Sequence, residues 1–591
     1  MEQKTFQVIN LNDSGEGSFR EALIASNKEI NSNISLNITG SITIESELPD
    51  ITSAVFIGDE TKAPKLQLDF QNTIEGLKFV GNSHASKLFG LVIINTKFHG
   101  IKVCVDNMIF DKLSIGIDLF GNIRSCGGDG ILFYKSNHNQ IGLSNNLESD
   151  YVSNIISGNK GNGIYFYKSN YNKIQKNTFG ADIFGQFSQA NCKSGLLFNN
   201  SSHNLIGGTL YTNAERETND PTGNKGTETP VFIILPLANL ISGNKEYGVC
   251  FMNNSENNTM NGNFIGSTLD GNFAIGNGKD GVVFSNSNNN SLIGCTTVEN
   301  PFVYYNVISG NGGNGIRIID SNNTKIQGNF IGINSGNTYP LPNLLNGILV
   351  EGCSNSTIVG GNIPLGNCIS GNGKNGIHVK DKASDFISFN TFSGLCAFGG
   401  VCPNRENGIL ITSSGENIVL RTNVCSGNGC HGIELSGYSS KVNVDPNIVG
   451  AVTNGNATMQ NGKSGLCISE NSSYNKIESN NTSVIPYSLF SGNLCYGIEI
   501  TDNAHHNIID NCNIGLNVTR SFLLSNNRGC IKISKTAHNN IISNNYISNN
   551  YNFSIFIGKD TCGNKLIDNI IGKNIFDTSI GTEEGNRIIY E

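Results

Sequence analysis

The chain has 591 residues, with 39 Lys and Arg against 47 Asp and Glu, a formal net charge of −8. Only 15% of residues are charged while 37% are apolar, which excludes a disordered chain and also long surface helices rich in Glu, Lys and Arg. The acidic balance gives no general affinity for nucleic acid or anionic membrane, so neither is expected as a partner. Glycine accounts for 70 residues and tryptophan is absent. Asparagine reaches about 90, several times its ordinary share, so turns recur at close intervals.

The first residues, Met1 to Lys4, run straight into an alternating apolar stretch (Phe6, Val8, Ile9) with no signal-peptide core. Ser18 and Glu21 then form a capping box, and Phe19, Ala22 and Leu23 make an apolar stripe. This predicts a helix over about 17–27, able to plug one end of an elongated core. Residues 1–40 are read as a first strand with this capping helix. Residues 41–591 are read as one continuous unit, its largest corner insertion at 209–238. The longest apolar run, Val231 to Ile241, is interrupted by Pro236 and is about half of what a membrane span needs.

One phrase recurs along the chain: Asn-x-Ile-Ser-Gly-Asn, a turn, Gly-Ile-x-Ile, a second turn and Asn-x-Ile. Copies start at Asn154, Asn239, Asn306, Asn367 and, degenerate, Asn423, leading to Gly163, Gly248, Gly315, Gly376 and Gly432. A unit of roughly 24 residues holding three short β-runs is too short for β-α-β and fits one coil of a β-solenoid. Within each run the period is two, as in Ile316-Arg317-Ile318 and Ile377-His378-Val379, so one face packs inward and the other faces out. Asn precedes the Gly at 162, 314, 346, 375 and 407. Asn suits a left-handed backbone, and its amide can ladder from coil to coil. From about residue 130 to 408 two coil types alternate, so loops should emerge from alternating corners.

With these repeats the chain resembles the bacterial and viral right-handed parallel β-helix repeat proteins of the pectate-lyase-like class, over nearly its whole length. The opening from Phe6 to Ala22 looks like the start of such exported proteins, where a first strand is followed by a capping helix. The resemblance implies an all-β, single-stranded right-handed parallel β-helix of roughly 17 or 18 coils, about 80–90 Å long. It also implies a secreted or surface location on a cell or virion. It does not choose a function, because the class includes lyases, hydrolases, adhesins and virion spikes.

Chemistry must come from outward side chains and corner loops. The outward column two residues after each Gly is apolar in the N-terminal half (Leu132, Tyr165, Leu197, Cys250, Val283) and polar in the C-terminal half. An apolar outward column calls for cover, by the 209–238 insertion or by a second copy of the chain. Phe133-Tyr134-Lys135-Ser136-Asn137 repeats as Phe166-Tyr167-Lys168-Ser169-Asn170. This stacks Tyr134 on Tyr167 and Lys135 on Lys168, with Tyr165 beside them. Tyrosine faces suit sugar rings and lysines attract uronate or sulfate, so these five residues are the candidate polysaccharide-binding strip. The bland alternative is a tyrosine ladder that stabilises adjacent coils. The insertion, with Glu215, Arg216, Glu217 and Asp220, is expected to flank the strip.

Arg317, Asp320, Glu351, His378, Lys380 and Asp381 fall on adjacent coils, but acids and bases alternate there as in a solvated ladder. No catalytic residue is assigned. His505-His506 reads as a polar turn, and neither a metal site nor a cofactor is expected. Of the 16 cysteines, Cys425 and Cys368 stand where sister repeats carry Ile308 and Val307. Most are read as buried free thiols acting as small hydrophobes, with scattered disulfides the alternative. The favoured reading is a non-catalytic adhesin or spike-like protein that engages polysaccharide or a cell-surface glycan along its side. The alternatives are a polysaccharide lyase or glycoside hydrolase of the same fold, and a purely structural rod.

Overall fold

The computed structural model describes residues 3–59, 63–142, 154–215, 230–297, 300–362, 365–479, 486–548, 551–573, 579 and 587–590. The chain winds as a right-handed parallel β-helix, each coil laying one short strand into each of three parallel sheets. Sheet 1 runs over 18 strands from Ile51–Ser53 to Ile588–Tyr590, sheet 2 over 19 from Thr5–Val8 to Lys565–Ile567, and sheet 3 over 18 from Gly40–Thr43 to Ile570–Ile571. These numbers agree with the expected 17 or 18 coils.

Register is kept by the period-two pattern. Ile316 pairs with Ile348 and Ile318 with Val350, so every inward residue sits on its counterpart one coil away. Phe133, Phe166, Phe198, Phe251 and Phe284 form one such column, their ring centroids 4.9, 4.7, 4.7 and 5.2 Å apart. All five are buried. Glycine opens the sheet 1 strand because coils approach closely there: a Cβ on Gly163 would stand 2.6 Å from the Gly195 carbonyl oxygen.

The N-terminal helix, α1 (Phe19–Ser26), buries Phe19, Ala22 and Leu23 against the first coil, as the stripe predicts. The Ser18 hydroxyl accepts from the Glu21 N–H at 3.2 Å, and the Glu21 carboxylate accepts from the Gly17 N–H at 2.7 Å. The first bond satisfies a first-turn donor, and the second closes the carboxylate back onto the residue before the cap.

Asparagine ladders run down the interior of the corners. In the longest, each Asn Nδ2 donates to the Oδ1 of its counterpart on the next coil, from Asn159 through Asn244, Asn311, Asn343, Asn404 and Asn461 to Asn526, at 2.9–3.1 Å. The Asn before each Gly also ladders, Asn346 to Asn314 at 2.9 Å and Asn407 to Asn375 at 3.0 Å. These residues do not adopt the expected left-handed backbone. That conformation falls instead on the solvent-facing turns, at His138, Asn257, Asn289 and Asn323 among others.

Loops alternate as expected. One coil carries a long turn between sheets 3 and 1 (Gly180 to Gly195, Gly266 to Gly281), and the next carries an insertion between sheets 2 and 3. The 209–238 insertion contains an antiparallel ribbon, Thr209–Glu215 with Pro230–Pro236.

Candidate aromatic and basic strip on sheet 1

Tyr134 and Tyr167 end consecutive sheet 1 strands, Ile131–Tyr134 and Ile164–Tyr167, in direct register. Alternation turns Phe133 and Phe166 inward and the tyrosines outward. Their rings lie 5.4 Å apart and 16° from parallel. Rings this close cannot lie side by side in one plane, so they overlap like shingles, with edges and hydroxyls toward solvent. The strip is therefore a row of ring edges and hydroxyls rather than the flat platform expected from sequence. Tyr165 meets Tyr167 edge-on at 6.2 Å. Its hydroxyl accepts from Asn199 Nδ2 at 3.1 Å, and burial raises its pKa.

Lys135 and Lys168 follow with left-handed backbones, φ 53° and 52°. Each ammonium swings back over its own tyrosine ring, 5.4 Å from Tyr134 and 5.6 Å from Tyr167. Both are exposed, and among the described residues neither pairs with a carboxylate. The five residues expected to form the strip are thus brought together.

A second aromatic column adjoins it, three to four residues on in each coil. His138, Tyr171 and His203 stack at 5.0 and 4.8 Å with rings 5° from parallel. His138 and Tyr171 are exposed. Reading only the strand positions misses this column; following the solvent-facing turn from coil to coil finds it.

The described ribbon of the 209–238 insertion, Thr209–Glu215 with Pro230–Pro236, leaves from the corner between sheets 2 and 3, which does not border sheet 1; Arg216, Glu217 and Asp220, expected to flank the strip, lie outside the described residues. Of the apolar outward column, Leu132, Cys250 and Val283 are 9%, 4% and 5% exposed within the single chain, while Tyr165 and Leu197 are half-buried.

The charged residues pair with one another across adjacent coils and columns. Glu351, 5% exposed, accepts from Arg317 Nη2 at 2.5 Å and Lys380 Nζ at 2.7 Å. Asp320 accepts from the Cys353 N–H at 2.8 Å and Asp381 from the Gly352 N–H at 3.1 Å. Burial lowers the His378 pKa to about 4, with Lys380 adding to the shift, and His378 Nε2 contacts Thr412 Oγ1 at 3.0 Å. Each carboxylate of this group thus has an ion-pair or backbone hydrogen-bond partner. Fifteen of the sixteen cysteines are free thiols.

The fold and this flank place the chain in the class of right-handed parallel β-helix proteins. The family described as NosD, periplasmic copper-binding protein, matches over residues 68–218, about a quarter of the chain. Among curated proteins none matches. The A-module of the Azotobacter vinelandii mannuronan C-5 epimerase AlgE4 is 9% identical, covering 85% of this chain and 93% of that one, with TM-score 0.28. The periplasmic alginate epimerase AlgG is 13% identical, covering 71% and 76%, with TM-score 0.28. Tailspike protein 2 of an Escherichia coli bacteriophage is 11% identical, covering 78% and 46%, with TM-score 0.27. Likenesses at this level say nothing about ligand or reaction. No described helix is long and apolar enough to cross a membrane.

Proposed function

We propose that this chain is a non-catalytic β-helix binding protein, secreted or displayed on a surface, that engages an acidic polysaccharide along the sheet 1 flank. The observation that carries the reading is the strip of Tyr134, Tyr165 and Tyr167 with Lys135 and Lys168, two like charges on adjacent coils that, among the described residues, have no carboxylate partner. Tyrosine hydroxyls and ring edges suit sugar hydroxyls and C–H groups, and the lysines suit uronate or sulfate. The stacked His138, Tyr171 and His203 extend the same edge. The group of Arg317, Asp320, Glu351, Lys380 and Asp381 is engaged in ion pairs and backbone hydrogen bonds, which supports the non-catalytic reading at that place.

The test is a glycan array with the intact chain, followed by the Tyr134→Ala/Tyr167→Ala double variant against each hit. Each ring contributes on the order of 1 kcal/mol, so affinity should fall at least tenfold with melting unchanged. Unchanged affinity would leave the strip as a structural ladder. Release of reducing ends or unsaturated uronate from any glycan would replace the binding reading with a lyase or hydrolase.

A further inference from the structure

Two turns between sheets 1 and 2 converge about ten coils, or about 50 Å, beyond the tyrosine strip. One runs Thr501 to Asn507, and the other, a coil later, Ser534 to Asn540. Ala504 and Ala537 are fully buried beneath them. Asn507 Nδ2 donates to Asn540 Oδ1 and Asn540 Nδ2 to Asn564 Oδ1, each at 3.0 Å, so both turns rest on a fixed backbone. His505 bridges His538, their rings 4.9 Å apart and 25° from parallel. His506 has φ 56°, and this left-handed step stands its ring at 88° to His505 and 80° to His538. Each of the three imidazoles offers one nitrogen, all within 4.8 Å of one another.

We propose that His505, His506 and His538 form a binding site for an imidazole-preferring first-row divalent cation such as zinc, with water in the remaining positions. Three features beyond proximity support it. His538 Nδ1 lies 3.0 Å from the Thr536 carbonyl oxygen; donating there, it leaves the Nε2 lone pair free and fixes the tautomer that a metal requires. The Nδ1 atoms of His505 and His506 are 2.9 Å apart. Two lone pairs cannot face each other at that distance without a proton or cation between them. Tetrahedral zinc with nitrogen ligands at about 2.0–2.1 Å spaces them about 3.3 Å apart, so a few tenths of an ångström of opening admits the ion. Finally, Tyr474 stacks on His506 at 5.0 Å and 18°, holding that ring in place.

The donor set is all nitrogen. The carboxylate of the same turn, Asp502, is held by Lys535 at 2.5 Å, so nothing favours calcium or magnesium, which take oxygen ligands. The positions equivalent to His505 on the two preceding coils are Ser440 and Ser473, so a general rule of corner packing does not explain the imidazoles. The site also lies outside residues 68–218.

The experiment uses the intact chain in a Cys353→Ser/Cys562→Ser background, which removes the exposed thiols. After chelator treatment and dialysis it is titrated calorimetrically with Zn2+. One equivalent should bind, with millimolar Ca2+ and Mg2+ failing to compete. His538→Ala and His505→Ala should each weaken binding at least tenfold while melting in the absence of metal is unchanged. Should a variant fold poorly, Zn2+ protection of the three histidines against diethylpyrocarbonate, mapped by mass spectrometry in the unsubstituted chain, gives the same answer. Absence of stoichiometric binding, affinity indifferent to both substitutions, or modification indifferent to Zn2+ would each overturn the proposal.

Discussion

Asn343 stands in the middle of the longest asparagine ladder and is fully buried. Its Nδ2 donates to Asn372 Oδ1 at 3.0 Å and to the Ile308 carbonyl oxygen at 2.9 Å. Its Oδ1 accepts from the Asn311 backbone N–H at 3.1 Å and from Asn311 Nδ2 at 2.9 Å. Substitution by Ala does not orphan every partner. The Ile308 carbonyl keeps the Gly332 N–H at 3.2 Å, and Asn311 Nδ2 keeps the Ile265 carbonyl at 3.1 Å. The Asn311 N–H and Asn372 Oδ1 lose their partner in a space sealed from water. At about 1–3 kcal/mol for each orphaned group, Asn343→Ala should cost about 2–6 kcal/mol. The matched control is Asn503→Ala, an exposed asparagine whose bond to Asn471 Oδ1, 3.0 Å long, can be replaced by water; it should cost at most about 0.5 kcal/mol. Urea unfolding followed by circular dichroism and by hydrogen exchange of the neighbouring coils reads both, since a solenoid need not unfold in one step. Equal cost for the two variants would refute the claim that interior ladders, rather than apolar stacking alone, hold the corners.

Thiol reactivity should divide the cysteines by burial: Cys353 and Cys562 react with a disulfide reagent at pH 8 in the native chain, while Cys126, Cys250 and Cys368 stay silent until it is denatured. Burial raises these three thiols to about 11, 12 and 12, which removes the reactive thiolate as well as access; equal native labelling rates would refute this. Stability should fall as pH drops from about 6.5 to about 4, because burial holds His378 and His431 at a pKa of about 4, well below the ordinary 6.5. The unfolded chain takes up protons first in that window, so the contribution is complete above 6.5 and lost toward 4, by at most about 3 kcal/mol per histidine. Urea midpoints at pH 7 and 4.5 check the sign, and His378→Gln should reduce the difference; a midpoint that rises on acidification would refute it.

The architecture is legible in sequence because one constraint repeats on every coil. Inward Ile, Leu and Phe at period two and Asn or Gly at corners leave one way to wind the chain, and the Ser18–Glu21 box marks where winding starts. The alternation of loops was readable for the same reason. Which corner a given loop occupies decides what it lies beside, and a linear reading did not carry that to the 209–238 insertion. Residues Tyr134 and Tyr167 were legible as a pair because their pentapeptides repeat, yet ring orientation was not: side-chain torsions, which leave no trace in residue spacing, decide whether stacked rings show faces or edges. His538 lies a coil away from His505, a neighbour that column reading can find. The inclusion of His506 depends on its left-handed φ, which brings an adjacent residue into the same cluster.

In this fold every outward residue has its nearest side-chain neighbours in the same position on the coils above and below, so columns, not individual residues, are the units on which stability acts. A column of alternating sign, such as Glu351 and Lys380, satisfies itself, here with Arg317 reaching across from the neighbouring column. A column of like charges does the opposite. Lys135 and Lys168 repel across one coil, and the tyrosine rings beneath them at 5.4 and 5.6 Å offset that only in part, because a cation over an exposed ring gains about 0.5–1 kcal/mol. The solenoid does not need this pair for its core, and a carboxylate on either coil would relieve the strain, as it does at Glu351. An acidic polysaccharide would supply the missing counter-charge repeatedly along the axis, at intervals a flexible chain can match to the coil spacing. The residues that the fold leaves electrostatically incomplete are therefore the ones to test first for a ligand.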